Sequence, residues 1–118
     1  MKDDIKKFTI KENSIMLDAI KSIQLSDLRT IIVVGKDNKV VGVISEGDIL
    51  RALIDGISPY SPIKNIINVS FKFLHTRDMH EAYKFFKLGI DVLPIMSNDF
   101  GLIDIITIFD FLDQLDFN

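Results

Sequence analysis

The chain has 118 residues, 47% of them hydrophobic and 26% charged, a globular composition that suits one domain or two small halves sharing a core. A net charge of −3 and a pI of about 5.2 argue against broad electrostatic attraction to nucleic acid or an anionic membrane. With no cysteine, disulfides, thiolate metal sites and thiol nucleophiles are excluded, and no apolar run approaches the roughly 18 residues that mark a membrane span.

The opening MKDDIKKF is too charged for a signal peptide, so cytoplasm is the expected location. In SIMLDAIKSIQL, Leu17, Ile20 and Ile23 or Gln24 recur at helical spacing and predict a helix with one buried face, with Ser14 as its natural N-cap. TIIVVGKDNKVVGVIS is two β-branched runs around a Gly, Lys, Asp and Asn turn, which predicts a hairpin. A helix is expected to begin at Asp48 and to end at Gly56.

ISPYSPIKNIINVS, with Pro59 and Pro62, reads as a linker carrying a short turn or helix at PIKNII, followed by a strand near SFKFL. Asp78 and Glu81 form a D-x-x-E cap before AYKFFKL, predicting a helix of about three turns that Gly89 stops. VLPIMSNDFGLIDIIT predicts a second hairpin, and DFLDQLDFN a last helix beginning at Asp110.

The second hairpin and helix repeat the first. GVISEGD (42–48) returns as DIITIFD (104–110), with Ser45 and Asp48 matched by Thr107 and Asp110 at an offset of 62. The same slide pairs Asp37 with Asp99, Leu50 with Leu112 and Leu53 with Leu115. Upstream the copies correspond at an offset of 63, setting Asp18-Ala19 against Glu81-Ala82. Each half alone, at fewer than roughly 60 residues, has too little apolar surface to be stable. A pair of repeats related by a pseudo-twofold, with clefts where they meet, is therefore expected.

The double phrase, the hairpins IIVVGKDNKVVG and VLPIMSNDFGLI, and the DA and EA helix positions resemble a tandem CBS-domain pair, the Bateman module. The resemblance covers essentially the whole chain and implies an α+β fold of two β-α-β-β-α repeats, spanning 1–62 with the linker and 63–118. It implies a regulatory module that takes an adenosine-containing nucleotide (AMP, ADP or ATP, with S-adenosylmethionine less favoured) between the repeats. No cofactor is implied. The expected partners are a second copy of the chain, in a homodimer, and a fused or associated catalytic domain. VISEGDILRALIDG is further similar to CBS pairs fused ahead of bacterial sugar-phosphate nucleotidylyltransferases, which suggests a piece of a larger enzyme. A degenerate pair that only dimerises is the competing reading.

The chemistry of the motif agrees with ligand binding. An ionised aspartate beside a helix start can accept both hydroxyls of a ribose, and a Ser or Thr three residues earlier can donate to a phosphate or ribose oxygen. The resemblance assigns these roles to Asp48 with Ser45 and to Asp110 with Thr107, while helix capping alone remains the alternative. It also assigns Arg29, just before the first hairpin strand, to the ligand's phosphates. The counterpart of Arg29 is Asp91, which would repel phosphate, and Asp104 replaces Gly42, a glycine suited to close backbone approach by a ligand. One basic cleft and one weaker cleft are thus expected.

His75 and His80 lack zinc spacing, His80 is expected on an exposed helix face, and the phenylalanines suit core or dimer packing. No Ser–His–Asp order, phosphate-binding glycine loop or dinucleotide motif is present, so a non-enzymatic function is expected.

Overall fold

The structure, a computed structural model, describes residues 2–115. Five helices and five strands follow in the order α1 (Lys2–Lys7), β1 (Thr9–Lys11), α2 (Met16–Ser26), β2 (Thr30–Val34), β3 (Val40–Ser45), α3 (Glu46–Ile54), α4 (Met79–Phe86), β4 (Val92–Met96), β5 (Leu102–Thr107) and α5 (Ile108–Gln114). The fold is α+β. One sheet has the order β1-β2-β3, with β1 parallel and β3 antiparallel to β2, and the other is the antiparallel pair β4-β5. The last residues of DFLDQLDFN lie outside the described residues.

The two hairpins carry the repeat. Both have a register shift near the turn, between Val33 and Val34 in one and between Ile95 and Met96 in the other. The linker contains the expected short helix, a 3-10 turn at Ile63–Asn65. The strand expected near SFKFL is reduced to a bridge from Leu74 to Ile95, held by Leu74 N–H to Pro94 O (3.0 Å) and Met96 N–H to Leu74 O (2.8 Å). This bridge is the second-half counterpart of β1 lying parallel to β2.

Alternation along the strands explains how two small sheets share one interior. Ile31 and Val33 of β2 face α2 and α3, packing on Met16, Ala19, Ile23, Ile49 and Ala52. Ile32, between them, faces the other way and joins Phe8, Val92, Met96 and Ile105 in a cluster drawn from both halves. On β4, Leu93 and Ile95 turn back toward Ala82 and Phe86 of α4. Each sheet is thus covered by its own helices on one side and by the other half on the opposite side.

Two helix details differ from the sequence expectation. The buried face of α2 is Met16, Ala19 and Ile23, with Leu17 and Ile20 only half-buried. Its N-cap residue is Ile15, not Ser14: the Asp18 carboxylate accepts the Ile15 N–H at 3.1 Å, while the Ser14 carbonyl is committed to Ile63 N–H at 3.0 Å. Helix α4 has 8 residues, about two turns, because the chain leaves the helix at Lys87 before Gly89 (φ 94°) closes the turn with an N–H to Phe86 O at 3.0 Å.

Candidate functional site: paired aspartates at the starts of α3 and α5

Strand β3 ends at Ser45 in extended conformation, and the chain turns directly into α3. The Ser45 hydroxyl accepts the Asp48 N–H at 3.2 Å, and Asp48 Oδ2 accepts the Ser45 N–H at 2.9 Å, a reciprocal capping box. Thr107 and Asp110 repeat it at 3.2 and 2.9 Å. The helices therefore begin at Glu46 and Ile108, two residues before the expected starts, and both aspartates sit at the third helical position. Hydroxyl capping sets this start: Ser45 and Thr107 satisfy a free N–H of the first turn, so the helix begins right after them.

Beyond the shared box the two aspartates differ. Asp48 Oδ2 also accepts the Ser45 hydroxyl at 3.0 Å, and Oδ1 accepts Arg51 Nη2 at 2.6 Å. The Arg51 side chain is 71% exposed, so it touches Asp48 from the solvent side. Asp110 Oδ2 instead lies 3.5 Å from Arg77 Nη2, and Arg77 Nη1 donates to Asp104 Oδ2 (3.1 Å) and to Ile105 O (2.9 Å). The expectation that only one cleft holds a basic residue is corrected here: each aspartate has an arginine beside it. Arg51 was legible as a cation three residues after Asp48 on one helix; Arg77 carried no sequence signal linking it to Asp110.

Asp48 and Arg51 line a cavity of about 450 Å³, walled by Ala52, Asp55, Ile57 and the linker segment Asn65–Asn68. Arg29 lines a separate cavity of about 240 Å³ with Thr30, Ser45, Glu46, Gly47, Gly89 and Asp91. Ser45 thus stands between Arg29 and Asp48. The main chain here is twofold-related: Arg29 O accepts Glu46 N–H, Asp91 O accepts Ile108 N–H, each at 2.9 Å.

At Gly42 the close backbone approach is made by the linker. A Cβ at this position would lie 2.5 Å from Asn68 O and against Ile67, because Asn68 bridges to Val43 with two hydrogen bonds of 2.8 and 3.0 Å. Among the described residues no group of three His, Cys, Asp or Glu is placed to hold a metal ion, and no helix is long and apolar enough to cross a membrane.

The CBS domain family model matches residues 1–55. No curated protein sequence matches the chain. Its structure is similar to that of the CBS domain protein PAE2072 from Pyrobaculum aerophilum complexed with AMP, at 21% identity and a TM-score of 0.69, over 86% of this chain and 80% of that one. It is similar to the CBS domain pair of protein MJ0100, in complex with 5-methylthioadenosine and S-adenosyl-L-methionine, at 24% identity and a TM-score of 0.70, over 92% and 86% of the two chains. CBSX2 in complex with AMP has a TM-score of 0.73 at 18% identity, over 93% and 88%. The chain has the fold of a CBS domain pair.

Proposed function

We propose that this chain is a regulatory module, two CBS repeats divided at residues 62 and 63, that senses an adenosine-containing nucleotide and controls a fused or partner enzyme. The observation that carries the reading is the cavity holding Asp48 and Arg51, in a fold whose solved examples include complexes with AMP and with S-adenosyl-L-methionine. AMP, ADP and ATP are the candidate ligands, with S-adenosylmethionine behind them; no cofactor and no catalytic step is assigned. An association with a nucleotidyltransferase rests on the resemblance of VISEGDILRALIDG, and a cytoplasmic location on the charge pattern and the lack of a long apolar run in the sequence.

The geometry suggests how binding would work. Asp48 Oδ2 is fixed by Ser45, but among the described residues Oδ1 is held only by the exposed Arg51. A ribose diol can take Oδ1 while Arg51, freed, turns its planar fork of donors to a phosphate. Arg29 lines the neighbouring cavity across Ser45, with Glu46 and Asp91, and would meet only a phosphate chain long enough to pass Ser45. Calorimetric titration with AMP tests the reading: saturable binding at about one site per chain supports it, and no binding at millimolar AMP defeats it.

The competing reading, a pair that only dimerises, has its own support. Leu25, Leu50 and Ile54 on α2 and α3 are 74%, 58% and 82% exposed, and Leu112 on α5 and Leu115 at its end are 51% and 48% exposed. A homodimer that covers these helix faces is compatible with either reading.

A further inference from the structure

Repeat 2 departs from repeat 1 in a coordinated way around Asp110. In repeat 1 the outer edge of β3 is sealed by main chain: Val43 N–H donates to Asn68 O and Val43 O accepts Asn68 N–H, over the bare Cα of Gly42. On the matching edge of β5 two side chains take up the Ile105 main chain. Ile105 N–H donates to Asp104 Oδ1 at 2.8 Å, and Ile105 O accepts Arg77 Nη1 at 2.9 Å. Asp104 and Arg77 are further tied to each other at 3.1 Å. Asp104, at the position matching Gly42, and Arg77 thus act together: they form a side-chain pair along this edge of β5.

That pair has a consequence for the cleft. The Arg77 guanidinium, anchored twice on β5, directs its other nitrogen at Asp110 Oδ2. The cation source has also moved: the position matching Arg51 is Asp113, and the position matching Arg77 is Ser14, at the offsets of 62 and 63. Arg51 touches its aspartate from a side chain 71% exposed with one partner among the described residues, whereas Arg77 is 38% exposed, donates to two acceptors on β5 and forms an ion pair with Asp110 at 3.5 Å. A ligand can displace the first at the cost of one contact. Displacing the second leaves Asp104 and Asp110 uncompensated and the Ile105 carbonyl without its donor.

From this asymmetry we infer that Arg77 is a built-in occupant of the second cleft, a tethered guanidinium that holds Asp110 and closes that site to nucleotide. The inference rests on the proposed nucleotide function and accounts for single-site behaviour by occupation, not by absence of a cation. Calorimetry with AMP and with adenosine on the whole chain, wild type against Arg77→Met combined with Asp104→Gly, tests it. The expected result is about one site per chain in the wild type and a second site in the variant, gaining at least about tenfold in affinity and lost again on adding Asp110→Ala.

Two sites in the wild type, a folded variant with one site, or a second site indifferent to Asp110→Ala would each overturn it. As a check that needs no variant, side-chain NMR of the wild type should show Arg51 shifting on AMP saturation and Arg77 staying in place; movement of Arg77 would equally overturn the inference. Absence of binding to wild type and variant alike is the separate outcome that removes the nucleotide reading itself, and this inference with it.

Discussion

Arg29 and Asp91 occupy equivalent positions 62 residues apart, and they meet: the Arg29 N–H donates to Asp91 Oδ2 at 2.6 Å. At the far end of the hairpins another equivalent pair, Lys39 and Gly101, is joined in an antiparallel bridge. Residues related by a twofold can touch each other only near its axis, so these two contacts mark where the pseudo-twofold runs. Asp91, a carboxylate that lines the Arg29 cavity, holds the opposite repeat's main chain, with Oδ1 buried and unpartnered among the described residues.

Asp91→Ala should therefore loosen the joint between the repeats. The substitution strands the Arg29 N–H but also removes a costly buried oxygen, so the net loss should be about 1 kcal/mol. Urea unfolding should show a lower midpoint with an unchanged slope; a slope that falls would mean instead that the repeats had begun to unfold separately.

Gly42→Ala should cost more than its size suggests. The added Cβ would collide with Asn68 O and Ile67, so either the core strains by about 1–3 kcal/mol or the linker lifts off β3. Hydrogen exchange at Asn68 N–H decides between them, since only linker release exposes that amide. An unperturbed melting temperature would show that the close approach has no energetic weight.

The hairpin tips offer a test by pH. Asp99 is held well below the ordinary carboxylate value of 3.8, chiefly by the hydrogen bond from Lys39, then by that from Ser97, then by the charge of Lys39. Because the folded value is depressed, any stabilisation is present above the ordinary range and is lost only as pH falls through the depressed value. The group is fully exposed, so the stability effect is slight. Carbon NMR should find Asp99 still ionised at pH 3, and Lys39→Met should move its midpoint back up.

Assembly is checked by charge. Leu50→Asp with Leu112→Asp places carboxylates on both exposed helix faces, and a homodimer that buries them should dissociate to monomer in sedimentation. Retention of the dimer would place the interface elsewhere.

The repeat, the hairpins and the residues of the capping boxes were legible because each is a local pattern: β-branched alternation, turn residues, a hydroxyl three residues before an aspartate. What the sequence concealed depends on contacts between distant segments. The role of Gly42 required the path of the linker over β3, and Arg77 could be connected to Asp110 only once β5 lay beside the segment preceding α4. FKFL has strand-like residues and predicts a strand, but of it only Leu74 meets Ile95.

Asp48→Ala separates the two functional readings because the aspartate has two kinds of partner. As part of the capping box it satisfies the Ser45 N–H, and losing it should lower stability by about 1 kcal/mol whatever the function. If Oδ1 also binds a ribose, the same substitution removes charge-assisted hydrogen bonds and should weaken AMP at least about tenfold. Arg51→Ala sharpens the test: it leaves the cap intact, so stability should be nearly unchanged, while AMP should weaken more than adenosine, which has no phosphate for the guanidinium to meet. Arg29→Ala should follow the same order, with its largest effect on ATP. An Asp48→Ala protein that melts earlier yet binds AMP normally would confine the aspartate to capping, and the exposed helix faces would then carry the function as a dimerisation platform.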